Sequence, residues 1–362
     1  MSNNLRVLFA GSGSGGPVAP LIAVSEKLKA LAPNASFLLV GTNEGPAQRL
    51  AQSAGLDFAS ISSGKLHRYW TIKNLITPFL VVVGFLQALK IIKHFKPNAA
   101  MGAGGFAQVP VLWAAKLLGV PILIHQQDVA PTLANKLCVP IAKKITVTFE
   151  QSLKDFSSGL LTASVERVVY TGNPIRDIIN HADKTEARAY FGLHSDLPVL
   201  LVVGGGTGAQ GINRLITAEL SELAKIVQII HVTGKGKSLG EKHPNYHAYE
   251  FLDRIDYGYA VADLVISRAG LNFISELSAL AKISIIIPIP DSHQESNALL
   301  LAQKRAAVAI DQGNLNPALL RKIVRAVIFE PELQKELSEN IFKLMPHDAA
   351  KQIAALLLDL GN

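Results

Sequence analysis

The chain has 362 residues, 49% apolar and 17% charged, with a formal net charge of +7. That length exceeds one small core and predicts two globular domains, while the apolar content excludes a disordered chain. The single cysteine, Cys138, excludes an internal disulfide and fits a reducing compartment.

The opening MSNNLRVLFAGSG runs straight into a strand and a Gly-rich turn, with no leader pattern, so export is not expected. In the N-terminal half, apolar runs alternate with helical patterns. Strands are predicted at Arg6–Ala10, Ser36–Val40, Asn98–Met101, Ile122–Ile124 and Ile145–Thr148, with a helix over Pro20–Leu31. Short buried runs separated by helices indicate a doubly wound parallel sheet. The pattern restarts after Pro198 with VLLVVGGGTGAQGIN, then QIIHVTG, then DLVISRAGLNFISELSALAKISIIIPIPDSHQESN (263–297). Two Gly-rich strand–helix turns, at Gly11 and Gly204, predict two Rossmann-like halves, α/β throughout. The polar region 172–197, holding GNPIR, is the expected crossing between them. The last helix is expected over roughly 347–360 and is predicted to pack back onto the N-terminal domain.

Thr77–Lys96, TPFLVVVGFLQALKIIKHFK, is apolar almost all round, with Thr77 and Pro78 as expected cap and first helical residue. Gln87 and Lys90 interrupt it, and it lies between strands of one sheet, so it is not expected to span a membrane. Two readings stand level: a buried helix, or an apolar patch ringed by cations and resting on an anionic lipid surface. Few aromatics and scattered basic residues argue against nucleic acid.

The chemistry concentrates at the turns. GSGSGGPVAP (11–20) permits close backbone approach to a ligand but lacks the lysine and hydroxyl of a P-loop. Glu44 is the nearest acidic candidate for a ribose contact. GGGTGAQGIN (204–213) offers backbone amides to a pyrophosphate, against a plain helix–sheet contact, with Arg176 and Arg268 as matching cations. Glu276, in the helix after RAG, either accepts from vicinal ribose hydroxyls or is a surface glutamate. In HQQD (125–128), Asp128 is a helix cap or a functional acid, and His125 a buried histidine or its partner. No metal-ligand spacing and no Asp-x-Asp pattern is present, so no metal is expected.

Taken in order, GSGSGGPVAP, GAGGFAQVP, HQQD, GNPIR, GGGTGAQGIN, HVTGKGK, RAGLNFISE and DSHQESNA resemble the MurG family, over nearly the whole chain. That family adds N-acetylglucosamine from its UDP donor to lipid I, giving lipid II for peptidoglycan. The resemblance implies an inverting transferase of the GT-B type: two Rossmann-like domains, an interdomain cleft, no cofactor beyond the UDP-sugar substrate, and a peripheral position on the cytoplasmic membrane face. It implies an acceptor domain over 1–171, with the helix at 343–362 packing back, and a donor domain over 172–342. Arg176, Gly205 and Gly206 would hold the donor diphosphate, with Arg268 and Gly270 beside it. Leu271 and Asn272 would lie near through their amides. Glu276 would bind the ribose, and His293 and Gln294 the sugar. Gly13, Ser14, Gly15, Gly16, Gly104 and Gly105 would shape the acceptor pocket. Trp70, Pro78, Phe79, Val82, Phe85 and Leu86 would face the membrane.

Four positions depart from the family pattern. Pro17 stands where the first loop normally ends in a histidine, Gln126 and Asp128 alter His-Glu-Gln-Asn, and Gly206 replaces a serine. Inverting transfer needs a base near the acceptor hydroxyl, and Asp128, oriented by His125, is the expected replacement. Slower transfer without a base and a changed or lost activity are the alternatives. The rival functions are transfer to another acceptor and non-catalytic UDP-sugar binding at the membrane.

Overall fold

The structure, a computed structural model, describes residues 5–13, 15–43, 45–64, 73–156, 165–194, 196–205, 208–238 and 240–361. It divides into two compact units, Met1–Arg176 with Met345–Asn362, and Asp177–Leu344.

The first unit runs β1 (Arg6–Ala10), α1 (Ala19–Leu31), β2 (Ser36–Gly41), α2 (Ala47–Ser53), β3 (Asp57–Ser60), α3 (Lys73–Phe95), β4 (Ala99–Gly102), α4 (Gln108–Leu117), β5 (Ile122–Gln126), α5 (Leu133–Cys138), β6 (Lys144–Val147) and β7 (Val168–Tyr170). The strands form one sheet in the order β3-β2-β1-β4-β5-β6-β7, with every pairing parallel. Parallel strands covered on both faces need continuous apolar sequence. Val7, Leu8, Phe9 and Ala10 accordingly point alternately into two cores, Leu8 and Ala10 into one, Val7 and Phe9 into the other.

The second unit runs α6 (Lys184–Phe191), β8 (Val199–Val203), α7 (Gln210–Ala218), α8 (Leu220–Leu223), β9 (Gln228–Val232), β10 (Tyr246–Tyr249), α9 (Ile255–Val261), β11 (Leu264–Ser267), α10 (Leu271–Ala279), β12 (Ser284–Ile286), α11 (Gln294–Gln303), β13 (Val308–Ala309), α12 (Pro317–Phe329) and α13 (Pro331–Phe342). Its sheet order, β10-β9-β8-β11-β12-β13, repeats the first outward from its own first strand. Each sheet therefore reverses direction beside that strand, between β1 and β4 and between β8 and β11, where ligands of such folds sit beyond the strand carboxyl ends. Both Gly-rich turns lie there.

α14 (Ala349–Gly361) belongs to the first unit. Its Ile353, Ala354 and Leu357 are buried in the core cluster that holds Leu21 and Val24 of α1.

One expectation changes. α3 begins at Lys73, so Thr77 is not its cap and Pro78 lies inside the helix. Pro78 removes one hydrogen bond there, and close packing holds the helix in compensation. A Cβ on Gly84 would stand 2.0 Å from Ser62 O, and the Ser62 amide donates to Gln87 Oε1 at 2.6 Å. The polar crossing segment contains a full helix, α6. Asp183 caps it by accepting from the Glu186 amide, and Gly192 closes it in the left-handed region.

Candidate active site

In the second unit, the C-terminal ends of β8, β11 and β12 carry the candidate donor residues. The turn after β8 brings Gly208 (φ +70) so close to β9 that a Cβ would stand 2.1 Å from Thr233 O. Only glycine fits there. A Cβ on Gly205 would stand 4.0 Å from the Phe273 ring, so this turn lies beside the start of α10. Gly206 lies outside the described residues.

Gly270, which has no side chain to cap with, occupies the N-cap of α10. Leu271 and Asn272 form its first turn, where amide hydrogens point outward and the helix dipole favours an anion. The Gln294 side chain faces this point. Its Oε1 accepts from the Ile289 amide at 3.1 Å, and its Nε2 lies 3.8 Å from where a Cβ on Gly270 would stand. The carbonyl end is thereby fixed and the side-chain nitrogen lies towards Gly270. His293 is exposed at the N-cap of α11. Asn297 ties α11 back by donating to Ala269 O at 3.1 Å.

Arg268 differs from its expected role as a matching cation. It is 8% exposed, and its guanidinium donates to Ile287 O at 3.1 Å, Pro288 O at 2.9 Å and Gln312 Oε1 at 2.7 Å. Burial pulls its pKa below the usual arginine value. Its hydrogens brace the loop after β12. Glu276 is half-buried on α10 and accepts from the Tyr259 hydroxyl at 2.8 Å.

In the first unit, three loops meet at the ends of β1, β4 and β5. Gly105 (φ +83) approaches the first turn so closely that a Cβ would stand 2.5 Å from Ser12 O. The Ala107 amide donates to Ser12 Oγ at 3.1 Å. Gly104 lies against the Pro17 ring, with a Cβ position 3.8 Å away. Gln127 joins the third loop by donating to Ala103 O at 2.5 Å. Gly13 and Gly15 take positive φ in the first turn; Gly16 is described there, while Ser14, like Glu44, lies outside the described residues.

Beneath these loops runs a buried chain of amides that sequence reasoning missed. The Gly104 amide donates to Gln108 Oε1 at 2.6 Å, and Gln108 Nε2 donates to Asn135 Oδ1 at 2.8 Å. Asn135 Nδ2 donates to Gln126 Oε1 at 2.5 Å and to His125 O at 3.1 Å. Gln126 Nε2 then donates to Asp128 O and Ala130 O, each at 2.8 Å. The altered Gln126 is thus explained, because a carboxylate there has no hydrogen for those two carbonyls. The only advance signal was polar residues at Gln108 and Asn135 within apolar surroundings.

His125 is fully buried and engaged elsewhere than expected. Its Nε2 meets Asn173 Oδ1 at 3.0 Å and its Nδ1 meets Thr146 Oγ1 at 2.9 Å. Burial lowers its pKa to about 4, so it is neutral at physiological pH. Its two ring nitrogens join β5 to β6 and to the loop after β7, a structural duty. Asp128 is half-buried, two residues past the end of β5. Arg176 is half-exposed and paired with Glu26 of α1, Nε to Oε1 at 3.0 Å.

The apolar helix divides its faces. Ile76, Phe79, Val82 and Leu86 are 51%, 68%, 57% and 59% exposed, one outward stripe that continues into exposed Lys90 and Lys93. Pro78 is exposed too, whereas Phe85 leans onto the core. Trp70, with His67, Arg68 and Tyr69, lies outside the described residues. The helix is long and apolar enough to cross a membrane by length and composition alone. Among the described residues, no group of three or more His, Cys, Asp or Glu could hold a metal.

Comparison with known proteins covers both units. The glycosyltransferase family 28 N-terminal domain matches residues 7–147 and the family 28 C-terminal domain residues 199–353. The UDP-N-acetylglucosamine–N-acetylmuramyl-(pentapeptide) pyrophosphoryl-undecaprenol N-acetylglucosamine transferase of Phocaeicola vulgatus is 35% identical, covering 100% of this chain and 98% of its own. The like-named protein of Lachnoclostridium phytofermentans is 38% identical over 82% of each. Among solved structures, MurG of Acinetobacter baumannii superposes with a TM-score of 0.74 at 23% identity, covering 98% of this chain and 99% of that one. A UDP-N-acetylglucosamine 2-epimerase reaches 0.69 at 13% identity, covering 99% and 97%; the fold is thus shared beyond transferases. With two Rossmann-like units, family 28 domains in both and close relatives along its full length, the chain belongs to the MurG family of glycosyltransferases.

Proposed function

We propose that this chain transfers N-acetylglucosamine from UDP-N-acetylglucosamine to the lipid-linked N-acetylmuramyl-pentapeptide pyrophosphate, lipid I, giving lipid II. The relatives named above carry that activity in their names. The observation that carries it within this chain is the start of α10 at Gly270, close to Gly205 and to the Gln294 side-chain amide.

The donor diphosphate binds at that helix start, near Gly205 and the amides of Leu271 and Asn272. Glu276 takes the ribose hydroxyls, and Gln294 and His293 the sugar. The acceptor hydroxyl attacks the sugar C1 as the bond from C1 to the diphosphate oxygen breaks, so UDP leaves and the new glycosidic bond forms with inverted configuration at C1. Helix dipole and amide hydrogens stabilise the charge developing on the leaving diphosphate. The hydroxyl proton passes to Asp128, whose backbone carbonyl ends the amide chain that starts at Gly104.

The acceptor is lipid-linked, and the α3 stripe is where the enzyme meets its membrane, at the cytoplasmic face. Phe79, Val82 and Leu86 enter the apolar boundary, and Lys90 and Lys93 meet anionic headgroups. A second reading is transfer to a different acceptor. Pro17, which cannot take a proton, favours it.

Gly270→Asp tests the donor site. A Cβ there meets only ordinary contacts, 3.7 Å and 3.8 Å away, and Asp caps a helix at least as well as Gly. Calorimetric titration with UDP-N-acetylglucosamine is expected to show binding to the native chain and at least a tenfold loss in the variant, with melting temperature unchanged or raised. Equal binding by both would remove the diphosphate from this helix start.

A further inference from the structure

The Tyr259–Glu276 pair carries a consequence for nucleoside selection. Tyr259 sits on α9 with none of its surface exposed. Its hydroxyl reaches across to α10 and donates to Glu276 Oε2 at 2.8 Å. Burial and the neighbouring Glu276 charge raise the phenol's pKa well above its ordinary value, so it keeps its proton and stays a donor.

We propose that Tyr259 is a positioning residue that fixes the Glu276 carboxylate for the vicinal hydroxyls of a ribonucleoside diphosphate, and so sets selection of ribose over deoxyribose. This rests on the assignment of Glu276 to the ribose. A glutamate near a helix surface has three rotatable bonds, and a ligand must otherwise freeze them on binding. A charge-assisted hydrogen bond from a rigid, buried phenol removes that freedom beforehand. The phenol is anchored by its ring, which fills the core of the second unit, so the hydroxyl cannot follow a wandering carboxylate. The preference for two adjacent hydroxyls then comes from a carboxylate held in one orientation. A nucleotide lacking the 2′-hydroxyl gains nothing from that orientation.

Tyr259→Phe keeps the ring and deletes only the hydroxyl, and Glu276→Gln removes the charge. Equilibrium titrations with UDP and with 2′-deoxy-UDP read the selectivity, and steady-state kinetics with UDP-N-acetylglucosamine read KM and kcat separately. In Tyr259→Phe, UDP affinity is expected to fall about fivefold to tenfold, the net size of one ordinary hydrogen bond, with 2′-deoxy-UDP affinity little changed. KM for the donor rises in parallel, and kcat stays within about twofold because saturating donor restores the ordered carboxylate. A purely structural tyrosine would lower the melting temperature and leave the ratio of the two affinities intact, which would overturn the proposal. If Glu276→Gln collapses that ratio and Tyr259→Phe does not, the positioning role fails while the ribose assignment survives. If neither variant moves the ratio, the ribose assignment itself fails and takes the proposal with it.

Discussion

The Gly104 amide hydrogen ends on Gln108 Oε1, 2.6 Å away, and is therefore not available to an acceptor phosphate. Gly104 lies against Pro17 and anchors the amide chain that reaches the Asp128 carbonyl. Every link of that chain donates in one direction, so breaking it anywhere leaves buried groups without partners. Gln108→Leu would orphan the Gly104 amide and Asn135 Oδ1 together. A loss of about 2–4 kcal/mol of stability is expected, with kcat falling more than donor affinity. A denaturant melt and donor titration on the same preparation check both.

Two buried histidines make stability depend on acid. His125 in the first unit and His231 in the second both have pKa lowered to about 4 by burial. His231 is held by Tyr246 and Asn213 as His125 is by Thr146 and Asn173. Between pH 6.5 and 4 the unfolded chain binds a proton at each site that the folded chain refuses. Stability is therefore fully present above pH 6.5 and lost as pH falls towards 4, by up to about 3 kcal/mol for each histidine. Melting temperature against pH should fall through this window, and His125→Gln should flatten the part belonging to the first unit.

Arg268 separates two views of a basic residue beside a phosphate site. Direct phosphate contact predicts that Arg268→Gln weakens donor binding and spares stability. The bonds to Ile287, Pro288 and Gln312 predict the reverse order of severity. About 2 kcal/mol of stability should go, because three acceptors lose a charged donor. Comparing the melting midpoint with UDP affinity decides it.

The α3 stripe should control lipid binding without touching the donor. Phe79→Ser with Leu86→Ser removes two outward apolar side chains that are 68% and 59% exposed. Vesicle co-sedimentation is expected to drop about tenfold or more, at roughly 1.5–3 kcal/mol for each fully buried side chain. Removing the charges of Lys90 and Lys93 should matter only with anionic vesicles. UDP-N-acetylglucosamine affinity should be unchanged in both variants.

What could be read from sequence follows the range of the interactions involved. Strands such as Arg6–Ala10 and the turns at Gly11 and Gly204 are local patterns of apolar runs and glycines, and they stand where those patterns put them. The start of α3 misled because Thr-Pro is a strong local cap signal that tertiary packing of Gly84 on Ser62 overrides. α6 was read as a crossing because its few apolar residues are outnumbered, yet its Asp183 cap and Gly192 close were in plain view. The duties of Arg268, His125 and Tyr259 could not be read, since their partners lie 17 to 48 residues away. Burial and hydrogen bonding across that distance are properties of the fold.

One measurement bears most directly on lipid I transfer: UDP release and disaccharide-lipid formation followed together, with UDP-N-acetylglucosamine and a lipid I analogue in detergent. Transfer predicts the two products in equal amounts, with a β-linked disaccharide, and a large fall in both for Asp128→Asn. UDP-sugar binding with no disaccharide formed would contradict it.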